Sequence, residues 1–174
     1  MKIGVLSDTH LHSLDAGSKL ASKLLNGPFT DVDVILHAGD CVFTDLENCF
    51  YPIPWYGVRG NMDVGQATLP VSRVLDLGGK KIGMIHGWGS GCDIETHVLD
   101  YFADCHLDVL IFGHSHRPVC RQLNNMLLLN PGSPTDRRSA PYHTVALLNI
   151  ESDAVTAEII RIDNRVTSKH YEKG

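Results

Sequence analysis

Seven side chains able to hold a metal ion stand in five short polar clusters, and each cluster follows an apolar run. They are Asp8 and His10 in Asp8-Thr9-His10, Asp40 in Gly39-Asp40, Asn61 in Gly60-Asn61, His86 in His86-Gly87, and His114 and His116 in Gly113-His114-Ser115-His116. Every donor is nitrogen or oxygen, and no thiolate belongs to the set. Mixed carboxylate, imidazole and amide donors suit Mn, Fe or Zn in expanded coordination better than a tetrahedral structural zinc. Seven donors are too many for one ion with an open position. They match two ions that share one carboxylate.

Each cluster also has an ordinary reading when taken alone. Asp8-Thr9-His10 reads as a turn with a surface histidine, and Gly39-Asp40 is a common turn pair. Asn61 after Gly60 reads as a residue that tolerates a left-handed backbone. His86 reads as a satisfied histidine at a strand end. The Gly-His-Ser-His run is the strongest single piece, because two histidines two apart at the exit of an apolar strand need a reason. The joint occurrence in this order tips the balance toward one site.

The elements that must position these residues are short. Residues 3–6 form an apolar run before Ser7-Asp8, which predicts a buried first strand. Leu20, Ala21, Leu24 and Leu25 repeat at helical spacing, and Gly27-Pro28 stops them. Residues 32–36 and 55–58 predict two further buried strands. This rhythm predicts α/β crossovers and a parallel sheet. Residues 74–77 and 81–85 flank Gly78-Gly79, a pair that favours a tight hairpin. Ile94, Val98, Leu99 and Phe102 mark a helix with Asp93 as its cap. Residues 109–112, 145–148 and 155–160 read as strands, Asn124-Asn125 as a hairpin turn, and the stretch after Asp163 as fraying. Two packed mixed β-sheets flanked by helices satisfy this order, an α/β (α+β) class in one domain over residues 1–174. In such sheets, ligands bind beyond the carboxyl ends of the strands, where the five clusters would converge.

Composition narrows the function. The 174-residue chain can bury a core without staples. Its net charge is −5 with scattered Lys and Arg, so the basic footprint of a protein that grips long nucleic acid is missing. Five cysteines, an odd number without a CxxC pair, argue against a disulfide framework. Met1-Lys2 runs directly into a strand-like segment, and no apolar run approaches the ~20 residues that span a bilayer. The expectation is a cytoplasmic protein with no membrane partner.

The order Asp-x-His, Gly-Asp, Gly-Asn-x-Asp, His-Gly and Gly-His-x-His resembles the calcineurin-like metallophosphoesterases. Chain length and Asn130-Pro131-Gly132-Ser133 are most similar to the small YfcE-type phosphodiesterase branch, over about residues 1 to 150. The resemblance implies a metallophosphoesterase-like β-sandwich and two divalent metal ions, with Mn²⁺ favoured and Fe, Zn, Ni or Co compatible. It places Asp8, His10, Asp40 and His116 around one ion and Asp40, Asn61, His86 and His114 around the other, with Asp40 shared. Asp40, Asn61 and His86 are the candidates for catalysis. Two cations roughly 3.5–4 Å apart acidify a water between them and stabilise charge on the phosphoryl transition state, so no side-chain nucleophile is required. The implied function is a phosphodiesterase acting on a small phosphate ester.

One departure stands out. Many members of the wider family carry His after Gly-Asn as proton donor to the leaving oxygen, and here Met62 stands there, as is common in the YfcE-like branch. A thioether transfers no proton. Among the remaining residues, His37 reads as packed or supporting, and His12 and His143 as candidates to reach the mouth. Arg137-Arg138 reads as a solvated loop and Cys41 as a small buried hydrophobe. The rival function is a scaffold like a eukaryotic retromer subunit that resembles the same branch and loses ligand histidines. Trp55, Tyr56 and Trp88 would then form an interaction surface or a homo-oligomer contact, although core packing is the leading reading for most of them. A pure metal-storage role is the weakest reading.

Overall fold

The computed structural model describes residues 1–65, 68–91, 93–151 and 154–163. Ten strands, two α-helices and one 3₁₀ turn are defined among them, in the order β1 (Lys2–Leu6), α1 (Leu14–Leu25), β2 (Val34–His37), the 3₁₀ turn (Leu46–Phe50), β3 (Trp55–Gly57), β4 (Ser72–Leu77), β5 (Lys80–Ile85), α2 (Asp93–Tyr101), β6 (Val109–Ile111), β7 (Val119–Leu123), β8 (Met126–Asn130), β9 (Thr144–Ile150) and β10 (Val155–Arg161). They form two five-stranded mixed sheets, ordered β10-β9-β1-β2-β3 and β4-β5-β6-β8-β7. The expected class of two packed mixed sheets flanked by helices is the architecture found.

In the first sheet, β1 runs parallel to β2 and β2 to β3, while β9 lies antiparallel to β1. In the second, β5, β6 and β8 are parallel neighbours, with β4 and β7 antiparallel at the edges. Parallel neighbours require crossovers, and parallel strands buried on both faces read as unbroken apolar runs. That explains residues 3–6 and 109–111, all of them buried.

Alternation within the strands sorts the core into three layers. Ile3, Val5, Val34, Leu36, Ile82, Met84, Val109 and Ile111 meet between the sheets. Leu6, Ile35 and Val145 point the other way, onto Leu20, Ala21 and Leu24 of α1. Leu110, Phe112 and Leu128 do the same against Ile94 and Val98 of α2. Trp55 and Tyr56 are half-buried against this core, whereas Trp88 is exposed.

The first helix begins earlier than its apolar repeat predicted. Ser13, in extended conformation, accepts a hydrogen bond from the Ala16 amide and starts the helix at Leu14. Asp93 is the first helical residue of α2 and not its cap. Gly78 and Gly79 turn the β4–β5 hairpin, both with positive φ, as a two-residue primed turn demands. Asn124, also at positive φ, turns the β7–β8 hairpin. The fraying expected after Asp163 lies outside the described residues. Among the described residues, no helix is long and apolar enough to cross a membrane.

Candidate metal centre

β1 and β2 in one sheet and β5 and β6 in the other end toward one another, and the residues just past them carry most of the predicted clusters. The Asp8 amide donates to the Gly39 carbonyl at 2.9 Å and the His10 amide to the Asp40 carbonyl at 3.0 Å, which ties the first two clusters together. Across the molecule, the Gly113 amide donates to the His86 carbonyl at 2.9 Å. Hydrogen bonds from the His114 amide to Asp8 Oδ2 and Oδ1, at 3.0 and 3.2 Å, then join the two sheets.

The backbone turns sharply at these positions. Asp8, His10, Asp40, His114 and His116 all have left-handed φ, between 42° and 68°. Such backbone costs on the order of 1 kcal/mol or more per non-glycine residue, and persists where surrounding structure enforces it. Asn61, the residue whose type best tolerates that conformation, does not adopt it. Close backbone approach adds a further constraint at Gly113, where a Cβ would fall 1.9 Å from Ser7 Oγ and 2.7 Å from Asp8 Oδ2.

The donor atoms converge. Asp8, His10 and His116 each offer one atom within 4.8 Å of the others, and so do Asp8, Asp40 and His86. His116 Nε2 lies 3.2 Å from Asp8 Oδ1 and 3.2 Å from His10 Nε2. Asp40 Oδ2 stands 3.3 Å from His86 Nε2 and 3.7 Å from His10 Nε2, between the two groups. Asn61 Oδ1 and His114 Nδ1 meet at 3.0 Å, and the His114 ring lies edge-on to His86 with centroids 5.2 Å apart. All seven predicted residues are thus in one place.

Three of the imidazoles have their tautomers set by backbone carbonyls. His86 Nδ1–H donates to Ala38 O at 2.8 Å, His114 Nε2–H to Gly89 O at 3.0 Å, and His116 Nδ1–H to Asp136 O. The opposite nitrogen of each ring then presents a lone pair to the cluster, the arrangement that orients metal-bound histidines. For His114 this sets one acceptor, Nδ1, against another, the Asn61 carbonyl oxygen. Asp40 Oδ2 and His86 Nε2 are buried with no hydrogen-bond partner among the described residues. Acceptors facing acceptors in a buried place need a positive charge between them, a proton or a cation.

Charge coupling follows from this geometry. Burial pushes the carboxyls of Asp8 and Asp40 up, but the neighbouring histidines outweigh it, and both lie below the ordinary aspartate value. Burial pushes His86 and His116 down, and the same carboxylates more than reverse this, so both lie above the usual histidine value. Protons on these rings stand where cations would stand. His10 is lowered, chiefly by burial, with Asp40 and Asp8 opposing.

Several supporting residues had no role assigned from the sequence, although Asp63, Asn130 and Ser133 lie in its motifs. Ser7 Oγ donates to Asp8 Oδ2 at 2.7 Å. The Asp63 carboxylate accepts the amides of Asp40, Val42 and Gly60 at 2.9, 2.7 and 2.7 Å. Asn130 Nδ2 donates to Gly113 O at 3.0 Å, and Ser133 Oγ to Asp8 O at 2.7 Å. Asn130 closes β8 as the other clusters close their strands, so the same positional signal marks it.

The remaining predictions divide. His37 is buried and packed, as expected, stacked on Trp55 and bonded through Nε2 to Thr9 Oγ1 at 3.1 Å. His143 is engaged with Asp163 at 2.7 Å, and His12 is exposed. Cys41 is buried, with its thiol pushed up to about 12 by burial above all. Arg137 turns back to the Ala140 carbonyl, while Arg138 lines a cavity beside His114 and is not merely solvated.

Comparison with known proteins gives the family. Residues 1–153 match the calcineurin-like phosphoesterase superfamily domain. A probable metallophosphoesterase of Methanothermobacter thermautotrophicus is 41% identical over 170 residues, covering 92% of each chain. A predicted phosphoesterase from Streptococcus pneumoniae superposes with TM-score 0.74 at 25% identity, covering 92% of this chain and 89% of that one. Two solved structures show the same fold at lower identity. A novel archaeal phosphodiesterase has TM-score 0.72 at 21% identity, covering 92% and 100%. Vps29 of Chaetomium thermophilum has TM-score 0.70 at 22%, covering 92% and 93%. Matched over most of its length by the family model and by a relative of 41% identity, this chain belongs to the calcineurin-like phosphoesterase superfamily.

Proposed function

We propose that the chain is a phosphodiesterase that works with two divalent metal ions, Mn²⁺ by preference. The observation that carries this reading is the pair Asp40 Oδ2 and His86 Nε2, buried 3.3 Å apart and, among the described residues, each without a hydrogen-bond partner beyond the pair. An unpaired buried carboxylate oxygen costs several kcal/mol unless a charge compensates it. Asp8, His10, Asp40 and His116 would hold one ion, and Asp40, Asn61, His86 and His114 the other. When bound, the ions supply Lewis acidity to phosphate oxygens and acidify the attacking water.

The chain's own residues supply the rest. Asp40 reaches both halves of the cluster, and its backbone is fixed by Asp63. Asn61 brings a neutral oxygen and leaves net positive charge available to a substrate phosphate. His86 commits Nδ1–H to Ala38 and so turns Nε2 toward the site, where an ion would take the place of its proton. A diester reading is supported by Met62, whose exposed thioether follows Asn61 where a proton donor would stand. A low-pKa leaving group needs no such donor.

The four described cysteines are free thiols, in keeping with a cytoplasmic setting. A small phosphate ester is the proposed substrate, without long nucleic acid or membrane. A second reading, a protein-interaction scaffold, is favoured by the likeness to Vps29 and by exposed Trp88, on which a protein partner or a second copy would sit. One experiment separates them. Chelator-stripped and Mn²⁺-reconstituted protein is assayed against bis(p-nitrophenyl) phosphate and a panel of monoesters and cyclic nucleotides. Metal-dependent diester turnover is expected, and equal rates without metal would overturn the proposal.

A further inference from the structure

A cavity of about 290 Å³ opens on the far side of the His114 ring from Asn61, lined by Gly89, His114, Ser115, Arg117, Arg138 and Ser139 among others. The chain carries a net charge of −5, yet two arginines and no carboxylate are found among the described residues lining this space. The guanidinium groups are held at its rim. Arg117 Nη2 donates to Ser139 Oγ at 3.2 Å, and Arg138 Nη1 to the His114 carbonyl at 3.4 Å. Asp136 stands outside the lining, accepting the Arg138 amide on Oδ1 at 3.3 Å and keeping Oδ2 3.9 Å from the guanidinium Nε. Arg138 takes a left-handed φ of 46°, and its side chain reaches the His114 carbonyl. Ser115 and Ser139 add hydroxyls. Two forked cations with hydroxyls in the same lining match the oxygens of a phosphate group better than any neutral moiety.

We propose that this cavity is a second anion subsite, which selects phosphoesters carrying another phosphate on the alcohol that remains bonded to the scissile phosphorus. The inference rests on the phosphoesterase reading of the neighbouring centre, with which it shares His114. One imidazole ring separates the two positions, so a substrate that fills both must carry its second phosphate a few bonds from the first. A ribose bearing phosphates on two of its hydroxyls has that spacing. Arg117 and Arg138 are specificity-determining residues in this view, and they take no part in bond cleavage.

The test uses two substrates with one leaving group. Thymidine 5′-(p-nitrophenyl phosphate), with and without a 3′-phosphate, releases the same nitrophenolate from the Mn²⁺-reconstituted protein. The 3′-phosphate should raise kcat/KM roughly tenfold, as expected of two part-exposed ion pairs, and mainly through KM. In the R117Q/R138Q double variant that ratio should fall toward one, and R117K/R138K should restore part of it. Calorimetric binding of thymidine 3′,5′-bisphosphate against thymidine 5′-phosphate gives a readout that does not depend on turnover. Tighter binding of the bisphosphate, abolished in R117Q/R138Q, is expected. Equal affinity and equal kcat/KM in the wild type would overturn the subsite. Absence of turnover with a retained binding preference would sink the phosphoesterase reading and leave the subsite standing.

Discussion

Asp63 holds Asp40 from behind. Its Oδ2 accepts the Asp40 amide at 2.9 Å, while the Met62 amide, one residue before Asp63, donates to Asp40 Oδ1 at 2.7 Å. The loop after β3 therefore grips both the backbone and the side chain of the residue between the two donor groups. Asp63 is only 2% exposed, and its two oxygens satisfy three backbone amides at once. Asp63→Ala would orphan all three, at about 1–3 kcal/mol each. A loss of about 3 kcal/mol or more in urea unfolding is expected, with Asp63→Asn, which keeps one acceptor oxygen, less affected. An Asp63→Ala protein of wild-type stability would show that these amides find other partners.

Removing the charge of Asp40 tests the shared position. Asp40→Asn should lower metal content by elemental analysis and reduce diester turnover by more than Asn61→Ala, because one variant strips an anion and the other a neutral donor. Two fully retained ions in Asp40→Asn would rule out the sharing. In the wild type, excess metal at 100 times its dissociation constant should stabilise the fold by about 2.7 kcal/mol.

Met62 sets the expected leaving-group dependence. Its side chain is 51% exposed at the mouth, and it supplies shape without a proton. General acid catalysis is worth roughly 10²–10⁴-fold, so its absence should appear as a steep rate dependence on leaving-group pKa. Aryl diesters should react well and alkyl esters poorly, with Met62→Ala altering aryl rates only modestly. His143 is already engaged by Asp163, which leaves His12 as the freer rival acid. A flat wild-type series that steepens in His12→Ala would assign the acid to His12.

His37 gives a pH prediction with a definite sign. Burial first of all depresses it from 6.5 to about 4, and the Gly39 amide donating to Nδ1 requires that nitrogen unprotonated. Between pH 6.5 and 4 the unfolded chain binds a proton that the folded chain refuses. Stability therefore rises with pH across this window and is lost as pH falls through it, by at most about 3 kcal/mol. His37→Phe should flatten that part of the stability profile measured by urea unfolding. An unchanged slope in the variant would assign the acid sensitivity elsewhere.

How much was legible beforehand follows from the physics of each signal. Apolar runs at residues 3–6 and 109–111 and the Gly78-Gly79 pair write their elements locally, because burial on both faces and a primed turn each demand particular residue types. The seven donors were legible because each sits just past such a run. What sequence alone determined was the inventory of nitrogen and oxygen donors and the two-sheet frame that collects them. Only the tertiary structure decided which atom of each donor faces inward. Ala38, Gly89 and Asp136 fix three imidazole tautomers through their carbonyl oxygens, and a backbone carbonyl has no residue type to read. The same holds for Asp63 beneath Asp40 and for Arg117 beside Arg138, separated by 20 or more residues and brought together only by packing. Long-range proximity is a property of the folded chain, set when two sheets close over a common core, and no local pattern encodes it.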